Sequence, residues 1–282
     1  MEPQRDLAMI LRVIPFEDRH QIVTALTLSW GQVTALAKNS IQSRRFGGAL
    51  DLFIASEWIF KMNSGGDLWT LVEAQVLESY EALRFDFKKL SMASVLNEIM
   101  LRVAPKLEPC SNLFRLHSNA LLVLSRMDSS QEIYLLNAYL AKILQWSGYQ
   151  PRLQSCLVCE ISLESLQGQM ELNCQVQAGG WVCQSCQNLF KTKNPEVSIQ
   201  GLQNHFISLT PLVIQDFYRS LQYPIREICN QRLASQEEHQ RFFQFMEAFF
   251  VYHFPGFDQR PLQGLRFLNL QSSVRPQATS RQ

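Results

Sequence analysis

The sequence lacks any apolar run that approaches the length of a membrane span. A span requires about 20 consecutive apolar residues, and runs such as Leu121–Leu124 and Ala248–Tyr252 are far shorter. The chain also lacks the basic and then apolar beginning of a secretory signal, because the segment Met1–Asp6 is polar and mixed in charge. We therefore expect a protein of the cytoplasm.

An excess of charge of either sign is also missing. The chain has 26 Lys and Arg against 25 Asp and Glu, a formal net charge of +1. A uniformly basic surface is excluded, so a site for nucleic acid has to be a local patch. Hydrophobic residues make up 46% of the chain, which is enough for a real core and too much for a disordered protein.

Familiar catalytic motifs are absent as well. The sequence contains no G-x-x-x-x-G-K-[ST] phosphate loop and no G-x-S-x-G nucleophile turn. The five histidines show no metal-ligand spacing with one another. They are His20, His117, His205, His239 and His253. We expect surface or packed histidines and a protein that is not an enzyme.

Two C-x-x-C hooks are the strongest chemical signal in the chain. They are Cys156/Cys159 and Cys183/Cys186, separated by 23 residues. Four thiolates match a tetrahedral zinc ion with no open position, which is a structural site. The gap is longer than the usual ribbon spacing of about 15–20 residues, so we expect a zinc knuckle with an enlarged loop and one zinc per chain. Free or redox-active thiols are the alternative.

The other cysteines do not form a second site. Seven cysteines in a long chain without a secretory signal argue against a disulfide framework. Cys174 falls in the predicted loop between the hooks, and Cys110 and Cys229 are isolated. We interpret all three as ordinary packed side chains.

The first 80 residues have the pattern of a small β-barrel. Five segments are rich in apolar and β-branched residues, and the Gly- and Asn-rich segment 63–67 separates the last two as a hairpin loop. The predicted strands are Leu7–Val13, Gln21–Leu28, Val33–Ala37, Phe53–Met62 and Leu68–Leu77. Five strands with no helical stretch between them predict a closed or nearly closed barrel.

A helical period follows the barrel. One predicted helix starts at Leu83, carries Phe87 among its apolar positions and stops at Pro105; a second is capped by Ser111 and a third is closed by Gly148. The cysteine segment interrupts at about 151–194, and helices are expected to resume near Ile199. Further start signals are Thr210-Pro211 and the capping box of Ser235 and Glu238, and Pro255-Gly256 ends the last helix.

A basic loop is expected after the third strand. Residues 38–46 carry Lys38, Arg44 and Arg45 and no acid. These cations suit backbone phosphates, and Phe46 at the edge suits a stacked base. The alternatives are a solvated loop that simply turns the chain, and a Phe46 side chain packed into the barrel. Residues 1–80 as a whole carry seven Lys and Arg and nine Asp and Glu, a formal −2.

In this order, the features resemble the bacterial RecO family over about residues 5–270. Besides the two hooks, the segments that carry the resemblance are Ile22–Leu28, Trp30–Val33, Ala35–Lys38, Arg44–Leu50, Leu71–Tyr80 and Arg260–Leu268. The R-F-G-G-A-L run within Arg44–Leu50 is the most specific. The chain departs from the family at Asn39, which replaces a glycine, and in having fewer basic residues over Asn39–Ser43.

The resemblance implies an α+β protein. Its parts are an N-terminal OB-fold over residues 1–80, an α-helical domain over 81–270 interrupted by the four-cysteine zinc knuckle, and a disordered tail over 271–282. Some family members lack the knuckle. The implied role is recombinational DNA repair: binding single- and double-stranded DNA, annealing complementary strands, and helping RecA displace single-strand-binding protein, with RecR as partner. That role places the protein at the nucleoid.

Candidate binding residues follow from the resemblance together with the charge pattern. Lys38, Arg44 and Arg45 are expected to contact phosphates, and a second basic segment contains Arg84, Lys88 and Lys89. Arg115 and Arg126 lie on the helix with Phe114 and Leu121, and they are candidates for binding the acidic tail of single-strand-binding protein. Two alternatives remain: a scaffold of the same fold that binds DNA weakly, favoured by the −2 charge of the barrel, and a zinc enzyme, opposed by four thiolates that leave no open metal position.

Overall fold

The protein is represented by a computed structural model. It describes residues 2–63, 68–128, 131–166, 171–193, 206–228, 232–255, 257, 260, 262–268 and 270. The chain forms two compact units that divide between Ser129 and Ser130, named here the N-terminal unit and the C-terminal unit. The predicted tail 271–282, the predicted loop residues 64–67, and Ile199, His205 and Cys229 lie outside the described residues.

Five strands close into a barrel in the N-terminal unit. Its strands are β1 (Gln4–Phe16), β2 (His20–Thr27), β3 (Gly31–Ala37), β4 (Ile54–Lys61) and β5 (Leu68–Ser79). The order around the barrel is β1-β2-β3-β5-β4, with β4 pairing back to β1. Neighbours are antiparallel except β3 and β5, which are parallel. This confirms the predicted barrel, and the topology is that of an OB-fold.

Strict alternation fills the barrel interior. Along β3 and β4 every second side chain is buried, as a closed sheet with one inner face requires. Large aromatic side chains occupy the centre: Trp58 and Phe60 are fully buried, and the rings of Phe60 and Trp69 stack at 4.9 Å. The connecting loops lie at the surface, where binding residues are commonly found.

Two helices complete the N-terminal unit: α1 (Phe87–Val103) and α2 (Ser111–Arg126). The predicted start of α1 at Leu83 was wrong, because Leu83 lies in a separate 3-10 turn and Asp86 is the N-cap residue. Strand β1 has an irregular register between Ile10 and Arg12, and Asn97 of α1 donates to the carbonyls of Ile10 at 3.2 Å and Leu11 at 3.1 Å. A buried amide thus hydrogen-bonds the backbone of β1 where its register shifts.

The C-terminal unit is built around a buried helix. Its main helices are α3 (Glu132–Ser147), α5 (Pro211–Gln222), α6 (Ile225–Ile228) and α7 (Gln236–His253), and the short α4 (Gln187–Lys193) follows the second cysteine hook. Helix α3 is buried over Glu132–Leu144 and packs against α5, α6 and α7. Of the aromatic stripe that the helical spacing of α7 predicts for the core, Phe242, Phe245 and Phe249 are buried, but Tyr252 is exposed. None of the described helices is long and apolar enough to cross a membrane.

Three predicted helix signals of this unit are confirmed. Gly148 ends α3 with φ of +74°. Thr210 caps α5 through the Val213 N–H, with proline at the first position. Ser235 and Glu238 form the reciprocal capping box of α7.

A three-stranded sheet supports the cysteine segment. It contains β6 (Leu172–Gln175), β7 (Gly180–Val182) and β8 (Phe206–Leu209), in the order β7-β6-β8. One expectation is corrected here. Cys174 lies in strand β6, fully buried, and not in a loop. The helices expected to resume near Ile199 fall outside the described residues, and the strand β8, which pairs with β6, was not predicted.

Candidate metal centre and nucleic-acid surface

The two cysteine hooks meet at one point. The four sulfur atoms of Cys156, Cys159, Cys183 and Cys186 all lie within 4.8 Å of one another, and the Sγ atoms of Cys159 and Cys183 are 3.7 Å apart. Zinc–sulfur bonds of about 2.3 Å in a tetrahedron put sulfurs about 3.8 Å apart. The side chains therefore fit a tetrahedral ion with four thiolate ligands.

Backbone contacts lock the hooks together. The Leu157 N–H donates to the Trp181 carbonyl at 2.9 Å, which joins the first hook to β7. The buried Trp181 indole donates to the Leu153 carbonyl at 2.9 Å. Gly180 is required by this closeness, because a Cβ there would lie 2.6 Å from the Arg152 carbonyl oxygen.

Backbone N–H groups also prepare the sulfurs for metal. The N–H groups of Val158 and Cys183 lie 3.5 Å and 3.3 Å from Cys156 Sγ. Burial raises the pKa of the Cys156 thiol, but these donors together with the Cys159 N–H outweigh burial and lower the pKa to about 7. In contrast, hydrogen bonding to Cys183 raises the pKa of Cys186 to about 12. Four adjacent thiolates therefore require a cation between them.

The predicted basic loop is exposed on the barrel. Lys38, Arg44 and Arg45 are all exposed. The Arg45 guanidinium is partly fixed, since it donates to Ser43 Oγ at 3.2 Å and to the Lys38 carbonyl at 3.5 Å. Asn39 has φ of +55°, so it occupies the left-handed region in which asparagine is among the tolerated residues. The loop thus gathers three cations on a defined backbone.

Phe46 corrects the expectation of a stacked base. Its side chain is only 2% exposed and belongs to the barrel core, while Arg45 lies 5.6 Å from the ring centroid. The alternative that packs Phe46 into the barrel is therefore the observed one. A ring enclosed by protein cannot offer a face to a base.

The second basic segment lies between the barrel and α1. Arg84 contacts the Asp51 carboxylate at 3.5 Å and the Leu52 carbonyl at 3.2 Å, which ties it to the loop between β3 and β4. Lys88 is exposed. Lys89 is half-buried, and its Nζ donates to the Ser125 carbonyl at 3.2 Å, so no carboxylate neutralises it in that contact.

The candidate tail-binding arginines share one face of α2. Arg115 and Arg126 are both exposed, and eleven residues in a helix of 3.6 residues per turn return to almost the same direction. Phe114 and Leu121 are buried, so their side chains do not provide an open pocket beside these arginines. Leu122 is half-buried on the arginine face.

Sequence reasoning missed two residues of this region. Phe85 is 88% exposed and Phe87 is 62% exposed, although the helical period placed Phe87 among the core positions. The signal that identifies them is the alternation in Arg84-Phe85-Asp86-Phe87-Lys88-Lys89.

Comparison with known proteins assigns similarity to both parts of the chain. The family model "Recombination protein O N terminal" matches residues 1–80, and "Recombination protein O C terminal" matches residues 84–195. The chain is 32% identical over 189 residues to the DNA repair protein RecO of Desulfatibacillum aliphaticivorans, covering 66% of this chain and 72% of that one.

Two further relatives give the same picture. The DNA repair protein RecO of Desulfosudis oleivorans is 30% identical over 182 residues, which is 64% of this chain and 69% of the relative. That of Syntrophus aciditrophicus is 28% identical over 178 residues, which is 63% of this chain and 67% of the relative.

Proposed function

The chain belongs to the RecO family of DNA repair proteins, and from that premise we propose that it is a recombination mediator with no catalytic activity of its own. It binds single- and double-stranded DNA and anneals complementary strands. It also helps to load RecA onto DNA coated by single-strand-binding protein, with RecR as partner. This work takes place in the cytoplasm, at the nucleoid.

The observation that carries the proposal is the exposed basic loop on an OB-fold barrel. Lys38, Arg44 and Arg45 present three positive charges with no acid in the same stretch. Cations of this kind bind the phosphate backbone without reading sequence. Holding two strands on one such surface offsets their phosphate repulsion, so annealing needs no nucleotide hydrolysis. Arg84, Lys88 and Lys89 extend the basic surface at the start of α1.

Zinc is the metal that best suits the knuckle. Thiolate ligands in a tetrahedron favour zinc over the hard cations that prefer oxygen. Four sulfurs complete the coordination of one zinc ion, which leaves no position for a water molecule. The role of Cys156, Cys159, Cys183 and Cys186 is therefore to hold the segment between α3 and α5 together.

The acidic tail of single-strand-binding protein is assigned to α2. Arg115 and Arg126 are exposed on one face, and a cation there suits a terminal carboxylate. A labelled tail peptide is expected to bind the wild-type protein more tightly than an Arg115→Ala, Arg126→Ala variant. Equal affinities would remove these two residues from the proposal.

A scaffold of the same fold with weak DNA binding is the second candidate. It is favoured by the formal charge of residues 1–80, seven Lys and Arg against nine Asp and Glu. In that case the family fold would serve protein contacts, and the protein would have no annealing activity.

Strand annealing without nucleotide separates the two candidates. Complementary labelled oligonucleotides are mixed with the purified full chain, and duplex formation is followed by energy transfer between the labels. A mediator accelerates annealing over the protein-free rate, and added salt reverses the acceleration because phosphate contacts are salt-dependent. A rate equal to the protein-free rate at low salt would support the scaffold.

A further inference from the structure

Two phenylalanine side chains are displayed to solvent at the junction between the barrel and α1. Phe85 is 88% exposed and Phe87 is 62% exposed. Phenylalanine is among the residues most often buried, and adjacent exposed apolar side chains commonly mark a binding surface. Other aromatic side chains of the same unit, such as Phe46, Trp58 and Phe60, are buried.

The surroundings of the rings are basic. The segment of residues 84–89 contains Arg84, Lys88 and Lys89 against one acid, Asp86. The Asp86 carboxylate accepts hydrogen bonds from the N–H groups of Lys88 at 2.9 Å and Lys89 at 3.2 Å. Its charge is thus directed at the positive end of the α1 dipole. The Lys88 side chain is exposed, whereas the Lys89 ammonium group donates to the Ser125 carbonyl.

The segment is also tied to the predicted phosphate-binding loop. Arg84 contacts Asp51 and Leu52, which follow Lys38, Arg44 and Arg45 in the same connection between β3 and β4. Arg84 therefore links the segment that carries the rings to the connection that carries the three loop cations.

We propose that Phe85 and Phe87 form a stacking platform for the bases of single-stranded DNA, with the flanking cations on its phosphates. The proposal rests on the DNA-binding function proposed above and names the part of the surface that distinguishes a single strand from a duplex. A single strand exposes the faces of its bases, which stack on aromatic rings. In a duplex those faces are covered by neighbouring base pairs, so the rings gain nothing from it.

A pair of substitutions tests the platform in the full chain. The Phe85→Leu, Phe87→Leu variant keeps apolar side chains at both positions but removes both rings. Affinity for fluorescein-labelled oligothymidylate is measured by anisotropy over a range of salt. We expect a loss of about 5-fold or more for each ring that stacks, with an unchanged salt slope and unchanged affinity for a duplex of the same length.

Two control variants make the outcome specific. Phe16→Leu changes another exposed phenylalanine of the same unit, at the end of β1 and 40% exposed, and is expected to bind as the wild type does. Phe85→Trp, Phe87→Trp restores stacking and is expected to retain the wild-type affinity.

The two proposals fail in different ways. A wild-type protein that does not bind the oligothymidylate would contradict the proposed function. A wild-type protein that binds it, together with a leucine variant of equal affinity, would overturn the platform alone. An equal loss for single strand and duplex would overturn it too, because such a loss does not come from stacking on exposed bases.

Discussion

His117 couples the folding of the N-terminal unit to pH. It is fully buried on α2, and its Nε2 lies 3.0 Å from Asn97 Oδ1. The Asn97 amide nitrogen donates to carbonyls of β1, so the Asn97 Oδ1 atom faces His117 as an acceptor. The neutral His117 ring therefore carries its hydrogen on Nε2. Burial lowers the pKa of His117 to about 3, well below the value of about 6.5 in an unfolded chain.

We predict that acid selectively destabilises this unit through His117. In the unfolded chain His117 is protonated below about pH 6.5, whereas in the folded chain it is protonated only below about pH 3. The free energy of unfolding therefore falls as pH falls, with a slope that approaches about 1.4 kcal/mol per pH unit. Urea unfolding of a His117→Gln variant should show a lower stability at neutral pH and a shallower decline towards pH 4. Parallel curves for the two proteins would contradict the assignment.

Substitutions at Gly31 and Gly48 distinguish the cost of positive φ from the cost of steric overlap, because both glycines have positive φ but only Gly31 is closely packed. Gly31 has φ of +65°, and a Cβ there would lie 2.2 Å from the Glu108 carbonyl oxygen. Gly48 has φ of +81° and has nothing within 4 Å of a Cβ. We predict that Gly48→Ala costs about 1–2 kcal/mol, the left-handed penalty alone. Gly31→Ala should cost about 2–5 kcal/mol, because overpacking is added. Equal losses in urea unfolding would show that the overlap at Gly31 relaxes freely.

The same residues show what a sequence can reveal at this scale. The turn at Gly31 and the tolerance of Asn39 for positive φ follow from local chemistry and are observed. The approach of Gly31 to Glu108 and the burial of Phe46 depend on segments far away in the chain. No local pattern contains that information, so the base-stacking role predicted for Phe46 was wrong.

At the scale of elements, signals carried by neighbouring residues were reliable. The capping box of Ser235 and Glu238 and the proline start after Thr210 each involve positions within four residues, and both are observed. Strand β8 was missed because its four residues gain stability from pairing with β6, more than 30 residues earlier in the chain. The exposed Phe87 was assigned to the core because a short helical period cannot tell which side a helix start presents.

The knuckle is the element whose stability depends on a ligand. We predict that the purified protein contains one zinc per chain and that Cys183→Ser abolishes it, since a structural site of three thiolates binds far less tightly. Limited proteolysis within residues 151–193 should then become fast. Cys110→Ser changes a half-buried thiol outside the cluster and should retain full zinc content by metal analysis. Native protein without zinc, or a Cys183→Ser protein with the wild-type zinc content, would contradict the prediction.

At the scale of the whole molecule, positive and negative charges are balanced, so any attraction for DNA has to come from a local cluster of cations. A net charge of +1 over 282 residues produces no general attraction for DNA. The barrel contributes a formal −2, so binding depends on where the cations lie. The sequence located the cations of residues 38–46 correctly on an exposed loop. The counting of charges alone could not show that Arg45 is partly held by the Lys38 carbonyl.

The salt dependence of DNA binding measures how many of these cations meet phosphate. Each contact to a single strand contributes about −0.7 to the slope of log affinity against log salt, because condensed counterions are released. We predict that Arg44→Ala, Arg45→Ala flattens the slope by about 1.4 and weakens binding to all sequences alike. The matched control, Arg5→Ala, Arg12→Ala, removes two exposed arginines of β1 and should keep the slope. A loop variant that melts like the wild type and keeps its slope would move the phosphate contacts to Arg84, Lys88 and Lys89.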